Sequence, residues 1–150
     1  MIRLSPRSLS RLEGVEPRLV RVVKMASELA HPQEDFTVIQ GVRTKQEMWT
    51  NYGKGRTIAE CKAKGVPAAY AKPAERKVTW LRDPLMSNHR LHPDGYGHAV
   101  DLAPFPIDWN DIGRFKDLVA LMRKAAMAEG VRIRCGADFS TPDLPHFELA

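Results

Sequence analysis

The sequence predicts an α+β fold: a single domain over residues 1–150, with a small antiparallel sheet and helices packed against it. Three observations predict it. The chain has 150 residues, enough for one sizeable hydrophobic core and too few for a second of that kind. Helical periodicity leads, and most short β-rich runs lie in the second half, around one long helix. No repeat or low-complexity tract is present, and the 11 prolines are scattered, so no linker divides the chain.

The first clear element follows Gly14. Val15, Leu19, Val22, Val23, Ala26 and Ala30 recur at helical spacing with Arg and Lys between them. Pro17 suits the first turn, and His31-Pro32 ends the helix. Phe36–Gln40 is a β-rich run closed by Gly41. Thr44 to about Tyr52 reads as helix, broken by Gly53 and Gly55. Thr57–Lys64 reads as a second short helix, stopped by Gly65 and Pro67. Lys77–Leu81 is a strand candidate, and His98–Ala103 another, ended by Pro104. Asn110 can cap a long helix whose face carries Ile112, Phe115, Leu118, Val119, Met122, Ala125 and Ala126, with Gly130 at its end. Val131–Arg134 and His146–Leu149 complete the strands.

Composition bounds the function. A hydrophobic fraction of 43% with 27% charged residues is ordinary for a folded domain and excludes disorder. The net charge of +5 suits a polyanionic partner: nucleic acid, anionic cell wall or a membrane surface. Charge alone does not choose among them. No apolar run reaches the ~18 residues that a membrane span needs. Met1–Arg7 lacks the apolar core and cleavage site of a secretory signal. The protein is therefore expected to stay where it is made until something else releases it. Cys61 and Cys135 are far apart, with no CxxC, and read as ordinary reduced thiols. The basic residues between Lys54 and Lys77 read as a solvated face, or as a contact for anionic wall or outer-membrane lipid. Trp49, Tyr52, Tyr70, Tyr96 and Trp109 are core or surface packing, or the lining of a peptide groove.

Histidine and carboxylate carry the chemistry. His89, His92 and His98 fall within ten residues, and Asp101 follows three later. A fourth histidine, His146, follows Asp143 by three. Imidazole and carboxylate together are what a catalytic zinc ion needs: three protein ligands and an open position for water. A carboxylate outside the ligand set can then act as general base. Spacing alone leaves a second reading open, that of surface-loop histidines around a Pro93-Asp94-Gly95 turn. His31 reads as a helix-end residue, His98 as structural or supporting, and Glu148 as a solvated carboxylate or a support for His146.

Several ordered segments are similar to one family. Ser87-x-His89, then Gly97-His98-Ala99-Val100-Asp101, then Asp143-x-Pro145-His146-Phe147 resemble the zinc D-Ala-D-Ala carboxypeptidase and L-alanyl-D-glutamate endopeptidase family, in its phage endolysin type. Gly41-Val42-Arg43-Thr44, Lys77–Trp80 and Cys135–Phe139 resemble further segments of that family, so the likeness runs from about residue 8 to the C-terminus. It implies an LAS-type, or Hedgehog-like, zinc peptidase fold acting as a bare catalytic domain. It implies Zn2+ held by His89, Asp101 and His146, and Asp143 as general base. It implies Arg43 at the scissile carbonyl, and Ser87 and Gln46 at the substrate backbone.

One segment departs from the family. His89 and Asp101 are twelve residues apart, five more than the family's usual spacing, so Arg90–Gly95 is read as containing a loop insertion. His89 keeps the Ser87 partner and is the favoured ligand. His92 competes, and Asp94 is a further candidate.

The resemblance implies hydrolysis of amide bonds in peptidoglycan stem peptides, as an L-Ala-D-Glu endopeptidase or a DD-endo- or carboxypeptidase. The protein would be a monomer made in the host cytoplasm, released through a holin and active on the cell wall in the periplasm. An inactive wall-binding module of the same fold is the alternative. A nucleic-acid-binding protein is suggested only by charge, and no recognition motif supports it.

Overall fold

The computed structural model describes residues 1–150. Helix α1 (Pro6–Arg11) opens the chain, capped by the Ser5 hydroxyl, which accepts from the Ser8 N–H. Six residues carry too little periodicity to be legible in the sequence. Helix α2 (Pro17–Leu29) is the periodic run after Gly14, with Leu19, Val22, Val23 and Ala26 fully buried. His31 then caps a short 3-10 turn over Pro32–Glu34, as a helix-end residue should.

Strand β1 (Phe36–Gln40) leads to α3 (Lys45–Gly53) and α4 (Ile58–Ala63). Both helices begin on reciprocal capping boxes, Thr44 with Glu47 and Thr57 with Glu60. Strand β2 (Ala99–Pro104) precedes the long helix α5 (Ile112–Glu129). The α5 cap is Asp111 rather than the expected Asn110, because the Asp111 carboxylate accepts from the Arg114 N–H at 3.3 Å. Strands β3 (Ile133–Cys135) and β4 (His146–Leu149) close the chain.

The four strands form one antiparallel sheet in the order β1-β2-β4-β3. On one face Val38, Val100, Leu102 and Phe147 pack against α2 and α5 in a single core that also takes Met122 and Ala125. Because side chains alternate across a strand, Asp101 and His146 lie on the opposite face, directly paired across β2 and β4. The core thereby holds the two chemically active strands in register.

The expected strand at Lys77–Leu81 is not a strand. The free edge of β1 is covered by α1: Ser8 Oγ accepts from Val38 N at 3.0 Å, and Arg11 Nη1 donates to Val38 O at 2.8 Å. The segment is tied instead to the α3–α4 lobe, where Arg56 Nη2 donates to Thr79 O at 2.8 Å. Trp80 is left 66% exposed. Arg56 is buried against the Tyr52 ring and so leaves the solvated face to its exposed basic neighbours. Tyr52, Cys61 and Val66 form a small second core under this lobe. Cys61 and Cys135 are free and buried. No helix is long and apolar enough to cross a membrane.

Candidate metal centre

Three elements deliver three donor atoms to one point. Asp101 comes from the middle of β2, His146 from the first residue of β4, and His89 from the loop before β2. Their ligand atoms all lie within 4.8 Å of one another. His89 Nε2 is 3.2 Å from Asp101 Oδ1, and His146 Nδ1 is 3.3 Å from the same oxygen.

The outer nitrogen of each ring is spoken for. His89 Nδ1 lies 2.7 Å from the Gly41 carbonyl, which can only accept, so Nδ1 carries the hydrogen. His146 Nε2 lies 2.7 Å from Glu148 Oε1 and donates to it. With a cation bound and each ring neutral, the other nitrogen would turn a lone pair inward, towards Asp101. This is the arrangement that fits a bound cation, with acceptors behind the ligand histidines setting their tautomers. The electrostatics agree. Burial disfavours the His146 charge, but the Asp101 and Glu148 carboxylates outweigh it and push the pKa up to about 9. Burial likewise opposes the Asp101 charge, yet hydrogen bonds from His146 and His89 hold its carboxyl well below the ordinary range. The pocket demands positive charge between its carboxylates, and a divalent cation supplies it while both imidazoles stay neutral.

Glu148 is not the solvated carboxylate expected by default. It is 5% exposed, accepts from His146 and from Asn88 Nδ2 at 2.7 Å, and lies 3.5 Å from Arg134 Nη1. It thus links the first ligand loop to the last strand.

Arg43 and Asp143 flank the cluster. Arg43 Nη2 is 3.6 Å from Asp101 Oδ2, Nη1 donates to Ser87 Oγ at 3.3 Å, and the backbone N donates to His89 O at 2.8 Å. Ser87 Oγ also accepts from the His89 N–H at 3.2 Å, so one hydroxyl joins guanidinium and ligand. The Asp143 carboxyl is raised by burial and then by the negative charge of Asp101. Its backbone carbonyl accepts from His146 N at 3.1 Å, and its own N–H donates to Gly136 O at 2.9 Å. Gly136 is a close-approach glycine: a Cβ there would meet Asp143 O at 2.1 Å and His146 Cβ at 2.9 Å.

The other histidines stand apart. His92 stacks on His98 with centroids 3.7 Å apart, and His98 Nε2 bonds Asp94 Oδ2 at 2.7 Å. The inserted loop thus folds on itself, closed by bonds between His92 and Tyr96 and between His92 and Gly95. The geometry brings His89, and neither His92 nor Asp94, to Asp101 and His146. Gln46 is exposed on the first turn of α3 and is not brought into the cluster by any side-chain hydrogen bond. Gln40 was invisible to sequence reasoning, although it holds Arg43. The only signal for it was its place at the end of β1, two residues before the Val42-Arg43 pair.

A sheet face bearing a His–Asp–His cluster, with a carboxyl of raised pKa and a guanidinium at its rim, has the layout of a metallohydrolase site. The chain belongs to the phage L-alanyl-D-glutamate peptidase family, whose profile matches residues 1–80 and 69–149. It is 29% identical over 145 residues to the L-alanyl-D-glutamate peptidase of Escherichia phage T5, covering 95% of this chain and 85% of that one. Its structure is similar to that of the Serratia marcescens L-Ala D-Glu endopeptidase ChiX, with a TM-score of 0.65, 26% identity, and coverage of 99% and 90%. The fold is shared with the vancomycin-resistance D,D-pentapeptidase VanY, solved with Zn(II), at a TM-score of 0.56, 21% identity, and coverage of 99% and 79%.

Proposed function

We propose that this chain is a zinc-dependent peptidase that hydrolyses amide bonds in peptidoglycan stem peptides, with L-alanyl-D-glutamate endopeptidase as the favoured activity. The observation that carries the reading is the convergence of His89, Asp101 and His146, each imidazole held from behind by an acceptor. Family membership and the relatives above support the substrate class. In this reading residues 1–150 act as one catalytic domain. The protein is a monomer, made in the host cytoplasm, released with the help of a holin and active on the wall in the periplasm.

His89 Nε2, Asp101 Oδ1 and His146 Nδ1 would hold the ion. When bound, zinc supplies Lewis acidity, polarising the scissile carbonyl and lowering the pKa of water. The chain's own groups supply the rest. The Asp143 carboxylate takes a proton from the attacking water and returns it to the leaving amide nitrogen. An environment that raises this carboxyl suits it to both steps. Arg43 donates from its guanidinium to the carbonyl oxygen as negative charge develops there. Ser87 holds Arg43 and the His89 backbone together, and Gln46 contacts the substrate backbone from its exposed place on α3.

The test is Asp143→Ala with muropeptide products read by mass spectrometry and zinc by elemental analysis. Cleavage should fall by at least about 100-fold, with zinc still bound. Turnover at the parent rate removes Asp143 as base. Turbidity loss of purified sacculi, abolished by chelator, separates a peptidase from an inactive wall-binding module.

A further inference from the structure

One side chain grips the Arg43 guanidinium on two nitrogens at once. Gln40 Oε1 accepts from Arg43 Nε at 3.1 Å and from Nη2 at 2.9 Å. Gln40 is itself held, its Nε2 donating to Glu47 Oε2 at 2.7 Å. The other oxygen of Glu47 accepts from the Thr44 N–H at 3.2 Å, closing the capping box of α3. A relay therefore runs from the start of α3 through Glu47 and Gln40 to Arg43.

Backbone geometry puts Gln40 in reach. The β1–β2 pairing slips between Val38 and Gln40, so that Gln40 rather than Ile39 faces Asp101 across the ladder. Such irregularities re-aim side chains beside functional sites. Donor and acceptor chemistry then fixes the amide. A carboxylate only accepts, so the NH2 of Gln40 must face Glu47 and its carbonyl oxygen must face Arg43. The amide carbonyl holds the guanidinium by geometry and adds no countercharge to that of Asp101. It also occupies the Nε edge, so Nη1 is left pointing at Ser87.

We propose that Gln40, held by Glu47, is the positioning residue that orients Arg43 for the peptidase reaction. The proposal rests on the reading of Arg43 as the group that meets the developing oxyanion. Long arginine side chains lose several rotatable bonds on being fixed. A guanidinium fixed beforehand is worth most at the step where charge appears.

The experiment is steady-state kinetics on a soluble muropeptide, with kcat and KM separated and zinc content measured for every variant. Gln40→Ala should lower kcat by roughly 10- to 100-fold, leave KM within about threefold and keep zinc bound. In an Arg43→Ala background the same change should cost nothing further, because its effect runs through the missing guanidinium. Gln40→Glu sets two carboxylates face to face and should lose activity. Adding Glu47→Gln restores a donor–acceptor pair and should recover most of the lost kcat. Parent kcat in Gln40→Ala overturns the proposal, as does an equal loss with and without Arg43, which marks a merely structural role. Full activity of Arg43→Ala by itself removes the reading of Arg43, and the proposal with it, whatever Gln40 does.

Discussion

His89 and His92 differ in what stands behind them. The first has a carbonyl acceptor at Gly41 and a carboxylate ahead of it. The second has a stacked imidazole on its face and the Asn88 carbonyl near its Nε2, at 3.3 Å. His89→Ala should therefore drop zinc content from about one ion per chain to near zero, while His92→Ala keeps it. Elemental analysis of the two purified variants decides between the ligands, and zinc lost only from His92→Ala overturns the assignment. Glu148 teaches the same lesson from the other side. Its spacing from His146 made a shared face legible, but whether a carboxylate on that face meets water or a ring nitrogen depends on Asn88, sixty residues away.

The turn Gly136–Asp138 and strand β4 meet at atomic contact, and that contact aims Asp143 and His146 together. Gly136→Ala pushes a methyl group into the Asp143 carbonyl, a backbone atom that cannot swing aside. It should destabilise the fold by about 1–3 kcal/mol, read by denaturant unfolding, and weaken zinc retention in a chelator competition. Unchanged stability and retention show that the two segments can separate without harm. The legible elements, α2 to α5 and β1 to β4, are those whose own residues supply the periodicity, caps or apolar run. Lys77–Leu81 has strand-like residues, but the β1 edge is already taken, since α1 satisfies the Val38 N–H and carbonyl. Strand formation needs a partner, and a partner is not a local property of the chain.

Across the whole molecule, a bound ion would tie together the loop before β2 and strands β2 and β4, segments spread from residue 89 to residue 146. The unfolded chain offers no such site, so binding free energy adds to folding stability. At a free zinc level of about 100 times Kd the gain is roughly 2.7 kcal/mol. For a domain of this size that is a shift of roughly 5–10 °C in Tm. Thermal unfolding followed by circular dichroism should show this drop on adding chelator and its reversal on adding zinc. An unmoved Tm means that the cluster does not bind the ion in the folded state.

The amino-acid sequence by itself determined the α+β class, the one large core, the two long helices, and the order of the motifs that carry Arg43, His89, Asp101, Asp143 and His146. The class and helices follow from periodicity and capping chemistry, which act over a few residues; the motifs are read from their ordered resemblance to the family. Tertiary structure alone decided which histidine of the inserted loop faces Asp101, that Glu148 is buried behind His146, that Gln40 holds Arg43, and that Lys77–Leu81 stays unpaired. Most of those depend on groups brought together from distant parts of the chain; the Gln40–Arg43 bond is local in sequence, but the slip in the β1–β2 ladder aims it. Only the packed sheet, with its core on one face and its charges on the other, puts them within hydrogen-bonding distance.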